Sequence, residues 1–223
     1  MNLIVVFAKA PLPGLVKTRL CPPLTAEQAA AVYRALALDT LAQTRLVRGA
    51  AVAIAYDPGT RDADAGWLAS DDIPVFAQEG PDLGSRLAHA FDHAFRKGAG
   101  RVLVIGTDCP HLPADCLEEA FAALERDDAV LGPTHDGGYC LIGLRGPNPA
   151  VFRNVPWSTA AVYGRTLELL REEGLSLKEL AIRSDVDSWT DLRAFRKLCV
   201  AGDDAPWTRT REALRGLERL SWD

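Results

Sequence analysis

Apolar residues fall along this chain in two kinds of run. Residues 3–7, 51–56, 102–105, 129–133 and 139–144 form short runs rich in Val, Ile, Leu and Ala. Runs of this kind suit strands covered on both faces. A further short run at 73–77 contains Pro74, which suits an edge strand. Residues 175–182 lead back toward the same sheet. Between these runs lie longer segments with helical spacing. One spans about 25–46 and turns Val32, Tyr33, Leu36 and Leu41 toward the sheet. Others cover about 83–97, 113–124 and 188–198, and a terminal helix covers 206–220. Residues 156–159 open another helix, to about 173, with Ser158 as its cap. Thr25-Ala-Glu-Gln28 and Ser188-Trp-Thr-Asp191 both read as capping boxes. The polar, acidic stretch 60–72 holds at most a short helix near 65–69.

Strands that alternate with helices predict an α/β fold, a three-layer αβα sandwich with a mainly parallel sheet. No internal repeat or low-complexity linker divides the chain. Residues 1–200 read as one domain and 201–223 as a C-terminal helical extension.

Composition narrows the function. The chain has 223 residues, 48% of them hydrophobic and 25% charged, with a net charge of −5. Such a balance lacks the basic footprint of a general nucleic-acid binder, yet leaves room for a local basic pocket for a small phosphorylated ligand. The five cysteines (Cys21, Cys109, Cys116, Cys140, Cys199) form no C-x-x-C pair. Neither a disulfide framework nor a zinc site is indicated, and a reducing cytoplasm suits them. The apolar run Leu3–Ala8 is too short to span a membrane and has no basic region ahead of it, as a signal peptide would.

The candidate chemistry sits where strands end. The run 102–105 breaks at Gly106, and Asp108 follows, pinned by Pro110. Ligands of open α/β sheets bind beyond the carboxyl ends of the strands. A carboxylate there can hold a divalent metal against a phosphate, or it caps the helix after Pro113. The loop after the first strand, 8–20, contains Pro11, Pro13 and Gly14 with Lys9, Lys17 and Arg19. Glycine allows close backbone approach, Lys offers a point charge and Arg grips two oxygens. The loop is neither a P-loop nor G-x-G-x-x-G, and its charges also fit a plain solvated surface. After the edge strand, Gly80, Gly84 and Arg86 lead into a helix whose N-terminus can take a base, ribose or phosphate. Asp136 stands before Gly137 and Gly138, either in the site or as the D-G turn of a hairpin. Asp185 and Asp187 lie on one side of an extended segment, where they can share a metal and repel each other without one. His89 and His93 read as a solvated or helix-packing pair, and Cys109 as a small buried thiol rather than a nucleophile.

Four motifs in order, Phe7-Ala-Lys-Ala-Pro-x-Pro-Gly-x-Val-Lys-Thr-Arg-Leu20, Gly106-Thr-Asp-Cys-Pro110, Leu131-Gly-Pro-x-x-Asp-Gly-Gly-Tyr139 and Asp185-Val-Asp-Ser-x-x-Asp-Leu192, carry a resemblance. They resemble a bacterial family of small glycosyltransferase-like proteins in the nucleotide-diphospho-sugar transferase superfamily. That family lies near the molybdenum-cofactor and 2-phospho-lactate guanylyltransferases, and the resemblance runs from Leu3 to about Leu198. It implies a GT-A-type, Rossmann-like fold that holds a nucleoside triphosphate or nucleotide-sugar with Mg2+ or Mn2+. It implies phosphate contacts from Lys17 and Arg19 and a metal on Asp108. It also implies a second metal position at Asp187, with Asp185 beside it, and a nucleotide-facing segment from Gly80 to Gly84. Two departures stand out. The D-x-D of glycosyltransferases is reduced to Thr107-Asp108-Cys109. The Gly-Gly start of the nucleotidyltransferase loop is replaced by Ala8-Lys9-Ala10-Pro11.

The expected activity is metal-dependent transfer from a nucleotide-activated donor, foremost glycosyl transfer from a nucleotide-sugar to an acceptor the sequence does not name. Nucleotidyl transfer from a triphosphate, with pyrophosphate released, is the alternative, and a non-catalytic nucleotide-binding protein is the third. In either transfer Lys17 and Arg19 would stabilise charge, and Asp136 would hold or deprotonate an acceptor hydroxyl or orient a sugar. The C-terminal helix packs on the domain or on a second subunit of a homodimer.

Overall fold

The computed structural model describes residues 1–60, 63–68, 72–110, 112–200, 206–217 and 222. Seven strands form one sheet: β1 (Asn2–Lys9), β2 (Ala50–Asp57), β3 (Val75–Ala77), β4 (Arg101–Ile105), β5 (Ala129–Pro133), β6 (Tyr139–Leu144) and β7 (Leu177–Glu179). Their order across the sheet is β3-β2-β1-β4-β6-β5-β7. The described residues form six α-helices, of which the first four lie on the sheet: α1 (Ala26–Thr44), α2 (Leu83–Arg96), α3 (Ala114–Ala123), α4 (Val162–Glu172), α5 (Trp189–Val200) and α6 (Thr208–Arg215).

The unbroken apolar runs become central strands because both faces are covered. Ile4, Val6 and Ala8 of β1 join Leu41 of α1 and Leu117 and Phe121 of α3 in one core. The alternate residues Leu3 and Val5 join Leu87 and Phe91 of α2 and Leu170 of α4 in the other. Side chains alternate across a strand, so one run supplies two cores. Each fully buried Leu, Ile or Val contributes about 1.5–3 kcal/mol.

β1 pairs in parallel with both β2 and β4. The chain leaves β1 toward β2 and β3, then returns through α2 to β4 on the other side. This reversal leaves a crevice beyond the carboxyl ends of β1 and β4, the usual ligand position in such sheets. β3 is the edge, as Pro74 suggested. The sheet is mainly parallel, but β6 runs antiparallel to β4 and β5. The connection from Pro133 to Tyr139 is too short for a crossover and can only be a hairpin.

A third core lies on the far side of α1. Val32 and Leu36 pack there with Leu20, Val186, Leu192, Phe195 and Leu214. Sandwiched between the sheet and α5–α6, α1 buries apolar residues on nearly all sides, as a fully covered helix should. Its start is the expected capping box, Gln28 N donating to Thr25 Oγ1 (3.2 Å) and Thr25 N to Gln28 Oε1 (2.8 Å). The box at α5 also forms, Ser188 N donating to Asp191 Oδ2 (2.7 Å) and Asp191 N to Ser188 Oγ (3.3 Å).

Three expected boundaries shift. Ser158 does not cap α4, which begins at Val162 behind Ala161. Residues 156–159 form a turn, closed by Thr159 Oγ1 donating to Pro156 O, and Tyr163 N at the helix start donates to Gly137 O of the hairpin. β7 is only Leu177–Glu179, because the chain then leaves β5 and touches the sheet edge again at the Thr134–Arg183 bridge. The terminal helix is Thr208–Arg215, and the expected residues 218–220 lie outside the described residues. Among the described residues no helix is long and apolar enough to cross a membrane.

One buried carboxylate joins α6 to α1. Asp39 of α1 is 2% exposed. It accepts from Thr210 N (2.8 Å), Thr210 Oγ1 (2.8 Å) and Arg209 N (3.2 Å). It thus satisfies amides at the open end of α6, where a negative charge also meets the positive end of the helix dipole. Asp39→Ala leaves these donors unpaired. We expect about 1–3 kcal/mol lost, read as a lower melting temperature and faster limited proteolysis after residue 200.

Candidate active site

Three segments build one end of the crevice: the loop after β1, the turn after β4 and the extended segment before α5. In the first loop Val16 and Leu20 are buried anchors. Lys9 N donates to Tyr33 Oη (2.7 Å), which fixes where the loop leaves the strand. Gly14 has φ +79° with open space around it and serves as the turn. Lys17 is left-handed as well, at φ 46°, a conformation that costs a non-glycine residue energy.

That backbone turns the Lys17 side chain inward, where it is 5% exposed. Its Nζ lies 2.7 Å from Asp187 Oδ1 and 3.4 Å from Asp108 Oδ2. Arg19 Nη1 stands 3.4 Å from Asp187 Oδ2 with its side chain 72% exposed. Burial pulls the Lys17 ammonium down, but the two carboxylates outweigh it and hold it above its ordinary range. Burial likewise pushes Asp187 up, but Lys17 and Arg19 win and keep it below the usual carboxylate range. Backbone contacts fix the pair. Val186 N donates to Asp108 O (2.8 Å), and the Cys109 thiol donates to Ser184 O (3.3 Å). Cys109 is buried, and contact with Cys140 together with burial raises its thiol well above its ordinary range. Its side chain packs in the core that also holds Leu112 and Cys140. Asp108 caps nothing, since α3 starts behind Pro113 without a side-chain cap.

Asp136 sits at the tip of the β5–β6 hairpin. Its Oδ1 accepts from Thr134 Oγ1 (2.6 Å) and Gly138 N (3.0 Å). The D-G turn reading is therefore correct for the backbone, and it brings the carboxylate toward the same edge. Asp185 responds to it. Burial, then the charges of Asp136 and Asp108, push the Asp185 carboxyl up to about 6.

The crevice between Lys17, Asp108, Asp187 and the turn before α2 encloses about 750 Å3, and Asp136 and Asp185 are not among the residues that line it. Its second end is held by Arg86, whose Nη1 lies 2.7 Å from Asp57 Oδ2 and whose Nε donates to Gly80 O (3.1 Å). The guanidinium lines the cavity but spends these donors on the protein. Gly80 and Gly84 do structural work. At Gly80, with φ +134°, a Cβ would strike Ser85 Cβ at 2.5 Å, and at Gly84 one would strike Phe152 O at 2.6 Å. His93 stacks on Phe76 at 4.2 Å, a packing role.

Three lining residues escape a sequence reading. Gln78 donates through Nε2 to Ala55 O (2.9 Å) and Ala8 O (3.2 Å). Both amide hydrogens are thus taken by backbone, which leaves Oε1 as its acceptor for the cavity. Tyr33 and Ser158 also line the cavity. The hydrophobic spacing that sent Tyr33 toward the sheet says nothing about its hydroxyl.

The chain shares its fold with nucleotidyl and nucleotide-sugar transferases. The chain belongs to the DUF2064 family, described as uncharacterized protein conserved in bacteria, whose pattern matches residues 40–159. It is 35% identical to a protein of Desulfovibrio desulfuricans G20 provisionally described as a nucleotide-diphospho-sugar transferase. The two structures superpose with a TM-score of 0.89 over 97% of this chain and 95% of that one. It is also 33% identical over 119 residues to a phosphoenolpyruvate guanylyltransferase of Sphaerobacter thermophilus. That match covers 52% of this chain and 56% of the relative, so the chain spans about half the length of the curated relative it matches. A cytidylyltransferase from Leptospira borgpetersenii shares the fold at 12% identity, with a TM-score of 0.56 over 97% of this chain and 93% of that one.

Crowded carboxylates make a prediction. A carboxyl whose folded pKa is raised costs stability once pH climbs from its unfolded value through the folded one. In metal-free buffer at pH 7.5, Asp185→Asn is expected to raise the melting temperature by about 2–4 °C, the equivalent of ~1 kcal/mol in a domain of this size. The gain should fade as pH drops from about 6 toward the ordinary carboxylate range.

Proposed function

We propose that the chain transfers a nucleotidyl group from a nucleoside triphosphate to an acceptor, with Mg2+ or Mn2+, and releases pyrophosphate. One observation carries this reading. The buried Lys17 joins Asp108 and Asp187, from distant segments, at the carboxyl edge of the sheet, with Arg19 beside them. Paired carboxylates next to cations are what displacement at phosphorus needs, since charge must be neutralised on both sides of the reacting atom.

The residues fit a divalent cation. Two hard carboxylates already face one positive charge, the Lys17 ammonium. Among the described residues no three carboxylate, His or Cys side chains converge on one point. Two protein ligands completed by phosphate and water are the habit of Mg2+. Asp108 and Asp187 would hold such an ion, which when bound would supply positive charge against the phosphates and the leaving group. Lys17 would donate to a phosphate oxygen and keep its proton, because its surroundings favour the charged form. Arg19, on the rim, would grip the outer phosphate. Asp136, at the hairpin tip, would orient the acceptor and accept its proton.

At the other end the base would meet Gln78. Its acceptor Oε1 would take an N–H from the base edge, a donor that every common nucleobase offers, so it would orient a base without choosing among them. The name of the Sphaerobacter relative, a guanylyltransferase, favours guanine. Glycosyl transfer is the second reading, favoured by the description of the Desulfovibrio protein, which is similar over nearly the whole chain.

The test separates the two. The protein is incubated with each of the common triphosphates and with nucleotide-sugars, with Mg2+ or Mn2+ and a panel of phosphorylated and hydroxylated small-molecule acceptors that includes phosphoenolpyruvate, and pyrophosphate and nucleoside diphosphate are assayed apart. Pyrophosphate from a triphosphate is the expected result. Nucleoside diphosphate from a nucleotide-sugar alone would overturn it in favour of glycosyl transfer. Asp108→Asn should reduce turnover at least ~100-fold with its far-UV circular dichroism retained. Gln78→Leu should raise KM for the preferred triphosphate about 10-fold, the worth of one hydrogen bond to a nucleobase, and change kcat little.

A further inference from the structure

Lys17 is held more tightly than a phosphate-binding lysine requires. Its backbone is left-handed at φ 46°, its side chain is 5% exposed, and its Nζ faces Asp187 at 2.7 Å and Asp108 at 3.4 Å. These are the same carboxylates that fit a metal. An ammonium and a divalent ion cannot use the same oxygens at once.

Charge makes the competition sharper. Lys17 and Arg19 pair with Asp108 and Asp187, while Asp185 and Asp136 add negative charge beside them. A divalent ion arriving alone would have to displace the Lys17 ammonium from these oxygens and leave it buried without its partners, where such charge is costly. A divalent ion arriving with a polyphosphate leaves no such orphan. The phosphate also offers the ammonium new acceptors within reach of the same loop.

We infer that Lys17 is a built-in counter-ion that keeps the Asp108–Asp187 pair closed to divalent metal until a phosphate chain arrives and takes over the ammonium. The inference rests on the reading of this crevice as a metal and nucleotide site. It adds an order: metal and triphosphate enter together, and metal alone binds poorly. No bond is made or broken in this exchange; ion pairs swap partners.

The experiment counts free Mn2+ by electron paramagnetic resonance as MnCl2 is titrated into nucleotide-free protein. Wild type should bind weakly. Lys17→Met, which removes the competing charge, should bind Mn2+ about tenfold more tightly or better, within the usual 5–150-fold range of coupling between sites. Lys17→Met/Asp187→Asn should lose that gain. A merely structural lysine gives the opposite sign, because its loss would splay the carboxylates and weaken Mn2+ binding. Equal or weaker Mn2+ binding by Lys17→Met therefore overturns the counter-ion role.

If Lys17→Met fails to fold alone, recovery of its far-UV circular dichroism on addition of Mn2+ supports the inference, and failure to recover overturns it. The underlying reading has its own control. Wild type that takes up no protein-bound Mn2+ even with GTP present would sink the metal and nucleotide site itself. Tight Mn2+ binding by nucleotide-free wild type would sink only the counter-ion role.

Discussion

A lysine ammonium removed from water must find negative partners, because the cost of burying it alone amounts to several kcal/mol. Lys17 finds them on segments 91 and 170 residues away. Much of the surrounding structure serves that meeting. Leu20, just after Lys17, and Val186, between Asp185 and Asp187, are buried in the same core as Leu36 of α1. The backbone of Val186 is tied to that of Asp108. α1 therefore does more than cover the sheet. It is the floor on which the loop after β1 and the 185–187 segment are held at hydrogen-bond distance.

The crevice divides its work along its length. Charge gathers where β4 and the 185–187 segment end. At the other end the turn before α2 is braced from within, Arg86 tying Gly80 O to Asp57. Asp57 in turn accepts from Gly59 N, and a Cβ on Gly59 would lie 3.6 Å from Leu12 and Leu15 of the first loop. Three loops thus share one brace. Burial pushes Asp57 up, yet the Gly59 amide and Arg86 keep it below the usual carboxylate range, so the brace stays charged near neutral pH.

Much of this was legible in the chain and some was not, for definite reasons. The runs at 3–7 and 102–105 announced central strands, because only a doubly covered strand tolerates apolar residues at every position. The boxes at Thr25 and Ser188 announced helix starts, because their chemistry is local. The direction of β6 is not in its periodicity, which is the same either way; only the short link from Pro133 to Tyr139 carries it. Ser158 has the chemistry of a cap, but packing of the hairpin on Ala160 decides where α4 begins. The candidate residues Lys17, Arg19, Asp108 and Asp187 were visible as charges at strand ends. Their pairing was not, since contacts across such separations depend on the whole fold. Arg86 and the glycines at 80 and 84 were visible as binding-loop residues, whereas the structure employs them to hold the loop. Gln78 carried no signal, because its two backbone partners lie on other strands.

The reversed strand has a further consequence. After β1, β3 and β4 the chain crosses over through an α-helix, so an insertion there disturbs helix packing as well. At β5–β6 the edge receives a hairpin tip, with Asp136 on it and Gly137 lodged against Ala160. A tip can lengthen, shorten or change its side chains while the strand register behind it stays fixed. The hairpin side of the crevice can therefore change while the strands beside the Asp108–Asp187 pair stay fixed, which on the proposed reading would let one scaffold take different acceptors.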